Sequence, residues 1–272
     1  MSTALPATAP SALPSRSRSW GVWGAWAGIL VILALSFGYI DVNFSALKQL
    51  PASIWHYLVL MFANPDWSKL GEALLQTWRS VAMAWIGALL GVVLSTILGV
   101  LAANTVSPGW VCLPLRTLFA IIRAVPEIII AIIILTVTGL TPFTGALALA
   151  IGGIGTHAKW TYEAIETAPT GPAEAVKASG GTLVETVRWG TWPIVQPELA
   201  SLALYRFEIN VRTSAVLGLI GVGGIGDMLT GYTQYRQWDV VGVLLIVVIV
   251  ITMSIDAISG AIRRRIVAAK YT

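Results

Sequence analysis

The sequence predicts an all-α polytopic membrane protein with six transmembrane helices. Three observations carry this expectation. The chain is 56% apolar and only 11% charged, where a soluble chain carries about 25% charged residues. Its mean hydropathy is +0.79. The apolar residues fall in runs of helical span length, not in the short alternating segments of a β-barrel.

The same composition narrows function. One cysteine, Cys112, excludes a disulfide scaffold and a cysteine-rich metal site, and the well-separated His56 and His157 add no ligand cluster. The net charge of +4 calls for no nucleic acid, since excess Lys and Arg in a membrane protein sets its orientation.

Residues 1–19 are rich in Ala, Pro, Ser and Thr and read as a disordered tail. Residues 20–40 form the first span. No Ala-x-Ala-like site follows it, so it reads as an uncleaved helix and not as a signal peptide. Residues 41–77 are a mixed segment with an interfacial stretch at 54–62, too short to cross, and a turn at Asn64-Pro65-Asp66. Residues 78–262 hold five further spans. The second covers residues 80–103, and the third covers 115–137 and contains Arg123, Pro126 and Glu127. The fourth covers 143–160, after a tight turn at 139–142. A hydrophilic insert occupies 161–197. The fifth span, 198–220, carries Glu198, Arg206, Glu208, Asn210 and Arg212. Residues 221–237 read as a loop, 240–262 as the sixth span, and 263–272 as a basic tail. Trp20, Trp23, Trp78, Trp110, Trp160 and Trp238 fall near span ends, as interfacial anchors do.

Lys and Arg set the orientation. Arg16, Arg18, Arg116, Lys159, Lys177, Arg188, Arg263, Arg264, Arg265 and Lys270 fall on one side, against Lys48, Lys69, Arg79 and Arg236 on the other. Both termini and the insert are therefore expected in the cytoplasm.

The insert reads as two short helices. Pro172 suits a first helical turn and Gly180-Gly181 ends the helix. Thr182 N-caps the next, with Glu185 completing a capping box, and Pro193 and Pro197 end it near the membrane. A structured loop that merely links spans is the plainer reading, but linkers are short and packing alone demands no pair of capped helices.

Glu174-Ala175-Val176 followed by Gly180 and by Trp192-Pro193 resembles the EAA loop of the permease subunits of ABC importers, whose pattern is E-A-A-x3-G-x9-I-x-L-P. The spacing is kept, with Val176, Gly190 and Trp192 departing in residue type. A run from Tyr205 through Arg212 and Val216 to Gly226 is similar to the phosphonate permease branch, as are Asn64-Pro65-Asp66-Trp67 and Arg123-x-x-Pro126. The resemblance spans roughly residues 60–265. It implies a type I importer permease fold in the plasma (inner) membrane, working as a homodimer with two cytoplasmic ABC ATPases and an extracytoplasmic phosphonate- or phosphate-binding protein. Glu174, Ala175, Val176 and Gly180 would dock the ATPase. ATP and Mg would act on that partner, and this chain would hold no cofactor of its own. No G-x-x-x-x-G-K-[ST] occurs in it.

Charges inside spans mark a partner or a wet cavity, because an ionised group at mid-bilayer costs at least ~2.5–3.5 kcal/mol. Glu208 and Arg212 are four apart and able to pair, as are Arg123 and Glu127, while Arg206 shares a stripe with Asn210. The excess of Arg over Glu in 206–212 suits an anion path, since guanidinium forks match phosphonate oxygens. For Arg123 and Glu127 a scaffolding pair is an equal reading. Gly221, Gly223, Gly224 and Gly226 match a dinucleotide fingerprint only on paper, because a membrane helix precedes them where a strand is required. The resemblance places them at the periplasmic end of the pathway and implies a gate; a plain turn, with close backbone packing, is an equal reading. A permease for methionine or a sulfonate, a passive anion channel and an intramembrane enzyme are the competing readings. The enzyme lacks an assembled nucleophile or metal set, and the channel leaves the docking helix unexplained.

Overall fold

The computed structural model describes residues 20–40 and 44–268; the expected tail at 1–19 and the last residues, 269–272, lie outside them. The chain divides into two compact units, Met1–Trp55 and His56–Thr272. In the first, helix α1 (Trp20–Tyr39) is apolar around its whole circumference and exposed throughout, as a helix bathed in lipid is. Helix α2 (Phe44–Phe62) begins in the first unit and ends in the second. It is 19 residues long, so the interfacial stretch at 54–62 is the end of a longer helix.

In the second unit, a 3₁₀ turn (Trp67–Lys69) capped by Asp66 leads into α3 (Leu70–Leu101), which starts well before the expected span. The Ser68 hydroxyl and amide hold the Asp66 carboxylate below its ordinary pKa. Next come α4 (Gly109–Ala124), α5 (Glu127–Thr138), α6 (Pro142–Thr167), α7 (Gly171–Ala178) and one turn of α8 (Leu183–Glu185). A π turn (Thr186–Thr191) follows, then α9 (Trp192–Gly218), α10 (Ile225–Gln234) and α11 (Trp238–Ala268).

By length and composition three helices among the described residues cross a membrane: α1, the helix ending at Leu101, and α11. The α4–α5 pair makes a fourth if counted as one span. Helices α6 and α9 have 26 and 27 residues, long enough to cross at about 1.5 Å per residue, but they are less apolar. Their position explains this: more than half of α6 is buried against protein, so Thr144, His157 and Thr161 replace lipid-facing residues.

The expected continuous third span is broken. Helices α4 and α5 meet at 92°. Pro126 has no N–H to continue the helix, and it drives Val125 into an extended conformation, φ −96° and ψ 120°. Residues 221–237 also differ from expectation, because they contain α10. Ile225, Met228, Leu229 and Tyr232 recur at helical spacing and pack against Val240, Val243 and Leu244 of α11.

The centre is a close α3–α6 contact built on small residues. A Cβ on Gly87 would sit 2.7 Å from Leu149 Cβ, one on Gly91 2.9 Å from Ala150 O, and one on Gly99 2.6 Å from Thr161 Cβ. Lipid chains are as apolar as leucine, so helices in a bilayer gain by dense packing, and small residues let backbones approach. Helix α9 lies against this pair: Trp85 of α3 meets Phe207 edge-on at 5.2 Å, and Trp160 of α6 meets Tyr205 at 6.0 Å.

Candidate functional site

The hydrophilic insert is built by local rules. Pro172 occupies the first turn of α7 and Glu174 lies in that turn, where the helix dipole favours a carboxylate. The helix ends in a complete Schellman motif: Gly181 N–H donates to Val176 O at 3.0 Å, and Gly180 N–H to Lys177 O at 3.0 Å. Gly180 takes φ +85° with open space around it, so its glycine is needed for conformation alone. Gly181 is needed for room, since a Cβ there would lie 2.6 Å from Val176 Cγ1.

Thr182 then starts α8 with a capping box: its hydroxyl accepts from Glu185 N at 3.4 Å, and its own N–H donates to Glu185 Oε2 at 2.7 Å. The Thr182 backbone N–H, reinforced by its hydroxyl, holds the Glu185 carboxyl below its ordinary pKa. A depressed carboxyl pKa stabilises the fold above the unfolded-state value, and that contribution is lost as pH falls through the folded value. Acidification below the usual glutamate range is therefore expected to loosen this turn. The Thr182 amide chemical shift should titrate there in the native chain and not in Glu185→Gln, which keeps the cap without the charge.

Helix α7 rests on the π turn. A Cβ on Gly190 would lie 2.7 Å from Ala173 Cα, so the residue standing where the family pattern has Ile lets the two backbones touch. Pro193 and Pro197 do not end a helix as expected. Pro193 lies in the first turn of α9 and Pro197 inside it. Glu174, Ala175 and Gly180 remain exposed and Val176 is half-buried. A groove of about 140 Å³ beside them is lined by Glu166, Thr170, Glu174, Lys177, Thr186 and Thr191, among others.

Directly behind this loop lies a cluster absent from the sequence reading. Arg116 of α4 pairs with Glu166 of α6, donates through Nε and Nη2 to Ala102 O at 3.0 and 2.8 Å, and stacks over the Tyr162 ring at 4.2 Å. Glu166 also accepts from Asn104 N at 2.7 Å. The ends of α3, α4 and α6 are thereby tied together.

The charges within the spans pair across helices, not along them. Arg206 Nη2 meets Glu127 Oε1 at 3.2 Å, Arg263 meets Glu208 at 2.8 Å, and Arg212 meets Asp256 at 2.6 Å. The expected Glu208–Arg212 pair does not form, because each finds a partner on α11. The expected Arg123–Glu127 pair does not form either, because the break at Pro126 puts the two on different helices. Arg123 is exposed at the end of α4, with no ion pair among the described residues. The expected excess of positive charge is also absent: Arg206, Arg212 and Arg263 are balanced by Glu127, Glu208 and Asp256. An acid within the apolar run of α11 was the available signal for Asp256.

The Arg206–Glu127 pair lies on two glycines of α6. A Cβ on Gly152 would sit 2.5 Å from Glu127 Cγ, and one on Gly153 2.8 Å from Arg206 Nε. One turn along α9, the buried Asn210 donates to Ala84 O of α3 at 3.5 Å. At the other end of α9, Gly221, Gly223 and Gly224 all have φ between +83° and +92°. Gly226 lets α10 press on α9, since a Cβ there would overlap Ala215 O. Ile225 N donates to Ser80 Oγ at 3.0 Å and pins this corner to α3.

A family model described as binding-protein-dependent transport system inner membrane component matches residues 95–268. The chain is 39% identical over 208 residues to the phosphate-import permease protein PhnE of Mycolicibacterium smegmatis, covering 75% of this chain but only 38% of that protein. It is 31% identical over 243 residues to the putative phosphite transport system permease protein HtxC of Stutzerimonas stutzeri, covering 89% of this chain and 86% of that one. Among solved structures, a chain of the MetNI methionine ABC transporter superposes with a TM-score of 0.62 at 24% identity, covering 70% of this chain and 94% of that chain, and so shares its fold. With all-helical architecture, buried central helices and a matching family model over most of its length, this chain belongs to the inner membrane components of binding-protein-dependent transport systems.

Proposed function

We propose that this chain is one half of the membrane pathway of an ATP-driven importer for phosphonate or a related phosphorus oxyanion, phosphate or phosphite. It works as a homodimer with two copies of a cytoplasmic ABC ATPase, which bind ATP and Mg, and with an extracytoplasmic binding protein that captures the substrate. Both termini and α7 face the cytoplasm. The carrying observation is the placement of α7. It is exposed at Glu174 and Ala175, rigidly capped, and joined to two helices of the core: three residues separate it from the end of α6, and α9 follows the π turn on which it rests. A push on α7 therefore reaches α6 and α9, the helices that hold Arg206. The names of the relatives favour a phosphorus oxyanion, and a guanidinium beside the pathway suits one.

The test uses the complete transporter in proteoliposomes. Glu174→Ala is expected to leave ATP hydrolysis running while uptake per ATP falls about tenfold, a loss of ~1.4 kcal/mol of coupling. Wild-type coupling in that variant contradicts the docking role. Labelling of Lys177 from outside contradicts the orientation.

A further inference from the structure

Arg123 has no role in the function proposed above, and its setting differs from that of the other arginines of the spans. Arg116, Arg206 and Arg212 each meet an acid. Arg123 is exposed and has neither an ion pair nor a side-chain hydrogen bond among the described residues. Its depth is fixed by α6. Its stem packs on Gly155, at the midpoint of that helix: a Cβ there would lie 2.9 Å from Arg123 Cγ and 2.6 Å from Phe119 O. Arg123 also stands two turns beyond Arg116, ~10 Å along α4, and Arg116 is anchored beside Glu166 at the end of α6. An unpaired guanidinium is thus held deep in the span, where lipid does not accept it.

A second feature marks the same place. Helical hydrogen bonding is interrupted at Val125, which is extended, and the flanking Ala124 and Pro126 are exposed. Irregular backbone at membrane depth persists only where protein buries it or where it lines a water-filled cavity. A second copy of the chain covering this corner would have to set an acid against Arg123. The acids deep in the spans, Glu127, Glu208 and Asp256, are already paired. Charge and backbone both call for water.

We infer that Arg123 and the broken corner beside it line the aqueous pathway, and that the Arg123 guanidinium is the cation an oxyanion meets in transit. The inference rests on the proposed phosphorus oxyanion cargo and deepens it by naming the residue that touches it. The charge of Arg206 is spent on Glu127, whereas that of Arg123 is unspent. Its planar fork offers two parallel N–H donors to two oxygens on one phosphorus. The side chain is open to solvent, so it holds an anion weakly, as a pathway that must release its cargo requires.

The experiment has two arms, both on the complete transporter in proteoliposomes. The first replaces the one native thiol by Cys112→Ala and adds Arg123→Cys or, as a control in the lipid-bathed α1, Ile29→Cys. A membrane-impermeant methanethiosulfonate is supplied on both sides. Only a thiolate reacts, and thiolates do not form in lipid, so the thiol at 123 is expected to be modified at least about tenfold faster than that at 29. Equal rates overturn the inference, because the corner then faces lipid or protein. The second arm measures uptake of labelled phosphate, phosphite and methylphosphonate. Arg123→Gln should lower kcat about tenfold with KM unchanged, because capture occurs on the binding protein, and Arg123→Lys should lose less, keeping the charge without the fork. Wild-type uptake by Arg123→Gln also overturns the inference. If the wild-type transporter takes up none of the three acids, the cargo reading falls and the oxyanion role with it. The thiol arm does not depend on cargo, so the two failures are distinguishable.

Discussion

Removing Glu127 alone, as Glu127→Leu, is expected to destabilise the folded chain by about 3 kcal/mol, near the low end of the ~3–5 kcal/mol range for breaking a buried ion pair. The Arg206 side chain is 6% exposed and that of Glu127 32%, so deleting the acid strands the more deeply buried charge. Arg206→Leu should cost less, because the remaining carboxylate is partly hydrated and escapes more readily. The double variant should recover most of the loss, since two apolar residues replace a pair whose attraction barely offsets its desolvation. Unfolding midpoints of the purified singles and double give the coupling energy. Uptake by the same set separates scaffold from pathway. If Arg206 touches cargo, the double variant is stable and still transports poorly. A double variant with wild-type uptake removes Arg206 from the pathway.

This pair also shows what the sequence could and could not reveal. Charges in apolar runs announce themselves, and Arg206, Glu208, Asn210 and Glu127 were legible as interior groups because lipid tolerates none of them unpartnered. Their partners were not. Spacing of four residues suggests pairing only while one helix continues, and Pro126 breaks it between Arg123 and Glu127. The actual partners are 44 to 79 residues apart, a separation only tertiary structure closes. The caps of the hydrophilic insert were legible for the opposite reason. Gly180 and the Thr182–Glu185 box act within a few residues, so chain-local rules suffice. Those rules failed where one residue serves either of two roles. Proline rules allow Pro193 either to end a helix or to begin one, and it begins one, because a first-turn proline needs no N–H partner. Helix α10 carried a readable spacing of Ile225, Met228, Leu229 and Tyr232, but the glycines before it suggested a loop.

Those glycines support the sharpest comparison. Gly226→Ala is expected to cost more than about 3 kcal/mol or to prevent assembly, and Gly221→Ala only ~1–2 kcal/mol. The sequence treats the two alike, as members of one Gly-x-Gly-x-x-Gly run, but the structure uses them differently. Gly221 has φ +88° and its nearest neighbour, Leu140 Cδ2, would lie 3.6 Å from an added Cβ, so alanine there meets only left-handed backbone strain. Gly226 is helical and backbone-to-backbone with α9: its added Cβ would overlap Ala215 O and lie 2.9 Å from Gly218 Cα. No side chain is available to yield, so α10 must lift from α9 and break the Ile225–Ser80 bond that ties the corner to α3. Unfolding midpoints and yield of assembled protein measure both variants. Similar penalties would mean that this corner is an ordinary turn. A large gap, with Gly226 the costly position, means that the glycine run is chiefly a contact surface, and that any gate here moves α9 and α10 as one piece.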